Sequence, residues 1–480
     1  MTVGTSTRRD APRSAPRSRG RLRQRANRLL HPDCGWQEQL RRIRRRVLIG
    51  IGLLTLTGIP VVIFALVGLP HVIRGPLVRN VVAEGIDAGR LAAEQPRFAR
   101  TFALLAATDL ASGNRAEILA NGDGTFPRLW SDLRRARRSI TVQMYYIQTS
   151  AVADTMVAIL AERARTGVDV YFLYDAFGAK DFPARLKDTL RAAGVRAAEF
   201  RPLRWYALDR ANHRSHVRGI VIDGRIAYTG GFGLDDKWLG AGRAATEWRE
   251  TNVRFTGLAA VSLQAVFVAK WSEAVGELLA SERLLPDTVV KFTPSPMVAE
   301  AALLSSAPLG GSTNAERLLA LSIAAARRRL YISNAYFVPQ ADFVALLVAA
   351  ARRGVDVRIL TNGVESDVES TRLAGHRQYR ELLSAGVRIW EYRPTTIHAK
   401  TFVVDDVWSS VSTANFDNRS LAYNNEVAFV ARDRRIGEVL DSLFLSDLQV
   451  ADEVHLAAFE RRGWRMRLRE RIAGIVEGIL

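Results

Sequence analysis

An internal duplication constrains the fold of this chain more than any other feature. The stretch HAKTFVVDD, at 398–406, has a weaker copy, HVRGIVIDG, at 216–224, which lies 182 residues earlier. Each copy has a histidine, a cation two residues later and an aspartate seven residues later. The six residues are His216, Arg218, Asp223, His398, Lys400 and Asp405. The whole chain has only seven histidines, so two of them in one repeated pattern indicate a shared role.

The segments around the two motifs repeat in the same order. RTGVDVYFLYDA at 165–176 matches RRGVDVRILTNG at 352–363, and AAGVRAAEFRP at 192–202 matches SAGVRIWEYRP at 384–394. Each segment reads as a helix end, a turn glycine and a short apolar strand. Repetition at this spacing predicts two copies of one α/β unit. We expect an α/β protein of two duplicated lobes, each a mainly parallel or mixed sheet flanked by helices.

The repeated residues suit phosphoryl transfer. One neutral histidine can attack phosphorus, and a second, protonated histidine can donate a proton to the leaving oxygen. Lys400 and Arg218 can bind the non-bridging oxygens and stabilise the charge that builds on them. Thr413, Asn415 and Gly231 follow the motifs as candidate phosphate-binding residues. This set predicts a reaction without a metal or another cofactor.

The two motifs resemble the H-x-K-x4-D signature of the phospholipase D superfamily. The flanking stretches ISNAYFVP, STANFDNRSLAYNNE and WRET resemble its bacterial cardiolipin synthase branch. The resemblance covers about residues 115–460 and implies one active site at the interface of two lobes, with a covalent phosphohistidine intermediate. It extends the catalytic set to Asp223 and Asp405. It also implies that an acidic residue further along orients each histidine: Glu250, 34 residues after His216, and Glu426, 28 residues after His398.

The first copy departs from the family pattern. Arg218 replaces the usual lysine, and Gly233 stands where an asparagine is usual. The first half is therefore weakened, altered in its choice of substrate, or inactive, and the sequence leaves these alternatives open. Two other histidines, His213 and His376, lack the motif and are interpreted as structural. The aromatic pairs at 145–146 and 336–337 are interpreted as core.

Both ends of the chain suggest a membrane. Residues 1–46 hold 14 arginines and read as a basic, disordered cytoplasmic arm, and the 27 residues 47–73 contain no Asp, Glu, Lys or Arg. We interpret 47–73 as a transmembrane anchor rather than a core helix or signal peptide. A helical connector (74–115), a first lobe (116–290) and a second lobe (291–460) follow. Residues 461–480 form a predicted basic amphipathic helix, which suits either an anionic lipid surface or packing on the body.

The predicted function is that of a membrane-anchored phosphatidyltransferase like cardiolipin synthase, which converts two phosphatidylglycerols to cardiolipin and glycerol. The alternatives are a phospholipase D-type hydrolase, a nuclease, and a lipid-binding protein with a disabled site. The expected partners are phosphatidylglycerol and the bilayer, not nucleic acid. The expected location is a bacterial inner membrane, crossed once with the N-terminus in the cytoplasm. The sequence leaves open the side of the membrane on which the body lies, the oligomeric state and any protein partner.

Overall fold

The computed structural model describes residues 33–63, 91–202, 212–286, 299–308 and 313–474. The chain divides into two compact units, Met1–Ile73 and Arg74–Leu480. Most of the predicted disordered arm, residues 1–32, lies outside the described residues.

The first unit contains one long helix, α1 (Asp33–Ile63), with Pro60 inside it. It takes in the basic run 41–46 as well as the start of the predicted anchor, whose residues 64–73 lie outside the described range. Its stretch Glu38–Val62 is long and apolar enough to cross a membrane. The hydroxyl of Thr55 donates to the Ile51 carbonyl oxygen at 2.9 Å, so this polar group is satisfied within the helix.

The second unit alternates helices and strands. The remaining described helices are α2 (Pro96–Ala106), α3 (Asn121–Arg134), α4 (Ala151–Arg165), α5 (Ala184–Ala192), α6 (Leu258–Val275), α7 (Asn314–Ala325), α8 (Ala341–Arg352), α9 (Glu369–Ser384), α10 (Asn418–Ala422), α11 (Arg434–Leu448), α12 (Leu456–Glu460) and α13 (Trp464–Ala473). The strands are β1 (Ala111–Ala120), β2 (Ser139–Met144), β3 (Asp169–Asp175), β4 (Arg196–Phe200), β5 (Gly219–Ile222), β6 (Ile226–Gly230), β7 (Thr251–Thr256), β8 (Ala299–Ser306), β9 (Arg329–Asn334), β10 (Asp356–Asn362), β11 (Arg388–Tyr392), β12 (Lys400–Val404), β13 (Trp408–Ser412), β14 (Glu426–Arg432) and β15 (Ala451–Glu453).

The sheet repeats one strand order in its two halves. The order is β15-β11-β10-β9-β12-β13-β14-β8-β1-β7-β6-β5-β2-β3-β4. The series β1-β7-β6-β5-β2-β3-β4 therefore corresponds to β8-β14-β13-β12-β9-β10-β11, and β15 is an addition at one edge. The two halves join where β1 pairs antiparallel with β8. This symmetry confirms the predicted duplicated α/β fold.

The sheet is mixed rather than mainly parallel. In the first half β2, β3 and β4 pair in parallel, and in the second half β9, β10 and β11 do so. The other strand pairs are antiparallel. The parallel strands are the ones fed by the repeated helix–Gly–strand segments. Gly167, Gly194, Gly354 and Gly386 end these helices at φ values of 83° to 91°, which side chains with a Cβ rarely adopt.

One hydrophobic cluster joins the two halves. It contains Val221, Val253 and Phe255 from the first half and Val427 and Phe429 from the second. The Phe255 and Phe429 ring centroids lie 4.8 Å apart. Each half also has its own cluster, between the sheet and its helices. The ends of β5 and β12, which carry the motifs, are therefore held on a packed scaffold.

Candidate active site

The structure brings the two motif histidines to one cavity. His216 precedes β5 and His398 precedes β12, and both line a cavity of about 510 Å³ together with Arg218 and Asn415. The histidines are only 6% and 3% exposed. Residues separated by 182 positions in the chain therefore line the same cavity.

Each histidine is bound to the carboxylate of the opposite half. The Nδ1 of His216 lies 2.9 Å from Glu426 Oε1, and the Nδ1 of His398 lies 2.7 Å from Glu250 Oε2. The expectation from the sequence paired each histidine with the acidic residue further along its own half, and that pairing is wrong. The crossed pairs fix the tautomer with Nδ1–H donating to the carboxylate, which leaves Nε2 as the nitrogen available to a substrate.

Short backbone pairings between the halves cause this crossing. The N–H of His216 donates to the Asn425 carbonyl oxygen at 3.0 Å, and the N–H of His398 donates to the Arg249 carbonyl oxygen at 2.7 Å. Each histidine is thus hydrogen-bonded to the residue just before the opposite glutamate. The side chain of Arg249 extends the link between the halves, because it forms a buried ion pair of 2.8 Å with Asp447.

Both glutamates are held by further donors. The Oε1 of Glu250 accepts from the N–H of Thr251 at 2.9 Å, and its Oε2 accepts from the indole N–H of Trp238 at 3.3 Å. The hydroxyl of Thr413 donates to Glu426. Thr413 is fully buried and is not part of the cavity lining, so its prediction as a phosphate ligand is wrong. It supports the glutamate that holds His216.

The two motif cations are both buried, but they differ in their contacts. Arg218 is 2% exposed and donates to the Gly231 carbonyl oxygen. Its Nη2 lies 3.4 Å from His216 Nε2, so its charge is at the nitrogen that would meet a substrate. Lys400 donates from Nζ to the His398 carbonyl oxygen at 2.6 Å. Burial lowers the pKa of Lys400 to about 7, against the opposing effect of Glu250.

Arg218 and Gly233, the two residues that depart from the family pattern, both lie next to the ring of Trp238. A Cβ at Gly233 would lie 2.6 Å from the ring of Trp238, so that ring occupies the space an asparagine side chain would need. The guanidinium of Arg218 lies 5.3 Å from the centroid of the same ring, within range of a cation–π interaction. The glycine therefore leaves room for the tryptophan ring, and the ring packs against the arginine.

The remaining predicted phosphate-binding residues have different surroundings. Asn415 lines the cavity, and its Oδ1 has no hydrogen-bond partner among the described residues. Gly231 contributes its carbonyl oxygen to Arg218. A side chain at Gly231 would collide with the carboxylate of Glu250. Gly231 therefore leaves room for the glutamate that holds His398, a different role from the predicted phosphate contact.

Asp223 and Asp405 lie away from the histidines, at the far ends of their strands. The carboxylate of Asp223 accepts from the N–H groups of Arg138 and Ser139 at 2.7 and 3.1 Å. Asp405 accepts from the N–H groups of residues 327–329 at 2.8 to 2.9 Å. Seven residues of extended chain span roughly 20 Å. Their placement in the catalytic set is thus corrected: they anchor the far end of each motif strand to the start of a neighbouring strand.

Burial lowers the pKa of both histidines. For His216 the nearby carboxylate of Glu426 opposes this effect, while Arg218 adds to it. The pKa of His398 falls well below the usual value, because Lys400 and Arg218 act in the same direction as burial. Burial therefore disfavours the protonated form of both rings, whereas the carboxylate of Glu426 favours it at His216.

Aromatic side chains form much of the cavity wall, which the interpretation of 145–146 and 336–337 as core did not anticipate. Tyr145 packs edge-on against His216, with ring centroids 4.8 Å apart, and Trp248 lies 5.1 Å from His398. Tyr336 also lines the cavity, and its hydroxyl donates to Asp367 at 2.8 Å. Of the aromatic residues at 145, 146, 336 and 337, Phe337 belongs to one core cluster and Tyr146 packs against another. The sequence feature that could have predicted this wall is the tyrosines just after the strands that pair with the motif strands.

His213 and His376 have structural contacts, as the sequence suggested. His213 Nδ1 lies 3.0 Å from the Tyr423 carbonyl oxygen, and His376 is buried on α9. In the described part of the chain, no group of three or more His, Cys, Asp or Glu side chains is arranged to hold a metal ion.

The comparisons with known proteins agree with this geometry. The family model described as "Cardiolipin synthase, PLD-like domain" matches residues 129–261 and 319–448. A cardiolipin synthase of Geobacillus kaustophilus is 32% identical over 76% of this chain and 72% of its own length. Cardiolipin synthase A of Pseudomonas putida is 30% identical over 77% of this chain and 75% of its own length.

A solved structure supports the fold. The phosphatidylserine synthase of Haemophilus influenzae matches with a TM-score of 0.60 and 14% identity, over 77% of this chain and 97% of that protein. The duplicated sheet, the paired motifs and the family match lead to one conclusion. This chain belongs to the cardiolipin synthase family of phospholipase D-like proteins.

Proposed function

We propose that this protein is a membrane-anchored cardiolipin synthase that works through a phosphohistidine. The observation that carries the proposal is the pair of buried histidines, each with Nδ1 bound to a carboxylate and Nε2 left for the shared cavity. A histidine held in this way by a carboxylate is oriented for attack or for proton transfer.

In the first step, Nε2 of His398 attacks the phosphorus of a phosphatidylglycerol. His216 begins the step protonated; the bond from phosphorus to the glycerol oxygen breaks, the glycerol leaves with the Nε2 proton of His216, and His216 becomes neutral. We assign the attack to His398 because burial, Lys400 and Arg218 all disfavour its protonated form, and proton donation to His216 because Glu426 favours the protonated form of that ring. Arg218, which lines the cavity, compensates the charge that builds on the non-bridging oxygens, and Lys400, which is buried outside the cavity lining, adds positive charge at longer range. The anionic phosphodiester favours the charged form of Lys400.

In the second step, a hydroxyl of a second phosphatidylglycerol replaces the histidine. His216 takes the proton of that hydroxyl, the oxygen attacks phosphorus, and His398 leaves as a neutral ring. The aromatic walls and the polar residues Gln148, Lys180 and Asp181 of the cavity offer surfaces for both the acyl-bearing and the polyol parts of such a lipid. The anchor α1 would keep the enzyme at the membrane that holds both substrates.

The deciding experiment measures products from phosphatidylglycerol vesicles. The proposal expects one cardiolipin and one glycerol for every two phosphatidylglycerols consumed. Phosphatidic acid in place of cardiolipin would identify water as the acceptor and the protein as a hydrolase. In cells that lack their own cardiolipin synthase, the gene should restore cardiolipin. The His398→Ala variant should not, whereas His213→Ala, the matched control outside the cavity, should.

A further inference from the structure

A second cavity, unconnected with the active site, lies among α9, α12 and α13. It has a volume of about 520 Å³, and none of its lining residues lines the active-site cavity. Five of its nine lining residues are arginines: Arg377, Arg380, Arg462, Arg467 and Arg471. We call it the α13 cavity.

The α13 cavity has an excess of positive charge. Its carboxylates are Glu460 and Glu470, so five arginines leave three positive charges in excess before His376 is counted. Glu460 accepts from Arg380 Nε at 2.9 Å, and Glu470 accepts from Arg462 Nη2 at 2.8 Å. Both carboxylates are therefore already engaged, and an added anion would face the uncompensated arginine charge.

Arg462 presents hydrogen-bond donors that lack acceptors. Its Nε and Nη1 are buried and have no partner among the described residues. Its guanidinium lies 3.0 Å from the ring centroid of Phe459, so the ring limits its movement. Leaving such donors unpaired costs free energy, and phosphate oxygens match the fork of donors on a guanidinium.

The helix next to the cavity turns an apolar ridge away from the body. Successive residues of a helix are about 100° apart. Met466, Glu470 and Ala473 are buried or partly buried on one side of α13. The ridge on the opposite side is Trp464, Leu468 and Ile472, which are 70%, 48% and 58% exposed.

Arginines flank the ridge on both sides. Arg467 and Arg471 lie on the flank next to the cavity, and Arg465 and Arg469 lie on the other flank. An apolar face between rows of arginine is the arrangement that lies along a bilayer surface, with the apolar face inserted roughly 5–10 Å. The ridge therefore favours a lipid surface over a nucleic acid as the source of phosphate.

Ion pairs fix the helix to the body. His376 on α9 lies between two carboxylates, with Nδ1 3.0 Å from Glu470 and Nε2 2.7 Å from Glu391. Met466 and Ala473 pack on Leu373 of α9. The ridge and the cavity wall are consequently carried by one helix that is attached to the body.

We propose that the α13 cavity binds the phosphate of an anionic phospholipid headgroup while the Trp464–Leu468–Ile472 ridge enters the bilayer. This is a binding site, separate from the chemistry at His216 and His398. It would orient the body on an anionic membrane.

The test places an environment-sensitive fluorophore on the ridge of the full-length chain. Cys34, the single cysteine, is replaced by serine, and Leu468→Cys carries the label. His398→Ala prevents turnover, so the lipid composition stays constant and the result does not depend on the proposed function. The protein is studied in nanodiscs of phosphatidylcholine with rising fractions of phosphatidylglycerol, and the blue shift of emission reports insertion.

We expect a blue shift that requires phosphatidylglycerol. The Arg467→Gln/Arg471→Gln variant should reduce the inserted population about tenfold or more, since arginines near an anionic surface each contribute to binding. The matched control, Arg465→Gln/Arg469→Gln, removes the same charge from the other flank. Its inserted population should fall by a several-fold smaller factor than that of the first variant. Equal losses from the two variants, or an equal shift in pure phosphatidylcholine, would overturn the headgroup site. Reversal by inorganic phosphate at constant ionic strength would show a free-phosphate site and overturn the lipid assignment.

Discussion

Replacing Glu426 with Gln gives the sharpest test of the crossed histidine–glutamate pairs. The carboxylate is 1% exposed and accepts the Nδ1–H of His216, with its two oxygens at 2.9 and 3.0 Å. Glutamine keeps an oxygen acceptor but removes the negative charge that stabilises a protonated His216. With charge centres about 4 Å apart and an effective dielectric constant of about 20, that interaction is worth roughly 4 kcal/mol. We therefore expect a loss of about a thousandfold in turnover.

Two substrates make the test specific. In the proposed mechanism the glycerol that leaves phosphatidylglycerol takes a proton from His216, whereas a phosphatidyl ester of p-nitrophenol has a leaving group that departs without one. Glu426→Gln and His216→Ala should both retain a burst of p-nitrophenol, because the attacking ring is intact. Glu250→Gln and His398→Ala should both lose it. If Glu426→Gln behaved like His398→Ala, each glutamate would serve its own half and the crossed pairing would be refuted.

Four further outcomes are expected. Activity should persist in excess EDTA, because Arg218 and Lys400 supply the positive charge; loss of activity that Mg²⁺ restores would contradict this. Arg218→Ala should cost about a hundredfold in turnover, and Arg218→Lys should recover part of it, whereas equal rates in all three forms would remove Arg218 from the site. Gly233→Asn should lower the melting temperature, because the new side chain meets the Trp238 ring; an unchanged value would refute the contact. Burial opposes the charge on His376, but its hydrogen bonds to Glu391 and Glu470 outweigh that effect and raise its pKa. Its stabilising contribution should be complete below its ordinary pKa of about 6.5 and be lost as pH rises through the raised value, so the melting temperatures of parent and His376→Asn should converge with rising pH.

The sequence was sufficient for the fold and for half of the site. The duplicated helix–Gly–strand segments predicted the repeated strand order, and the motif predicted that His216 and His398 belong together. The partners of these histidines could not be read in the same way. Glu250 and Glu426 follow the histidines at set distances along the chain. Those distances do not reveal that the backbone before each glutamate pairs with the histidine of the opposite half.

The placement of Asp223 and Asp405 beside the histidines conflicts with the geometry of a strand. Asp405 follows His398 by seven residues, too far along an extended strand for both to face one phosphate. The turn residues Asp223 and Asp405 have φ values of 54° and 50°, and aspartate is one of the few residues that tolerate this region. The Trp238 wall could not have been predicted, because its effect depends on the absence of a side chain at Gly233 in three dimensions.

The crossed glutamates also bear on how such a site can arise and change. A chain with a single copy of this half would have a histidine without the carboxylate that holds its ring, so it would need a second copy to complete each pair. After duplication into one chain, neither half can lose its glutamate without disabling the histidine of the other. The two halves are thus free to diverge on their outer surfaces, while selection acts on their four central residues as a single inherited unit.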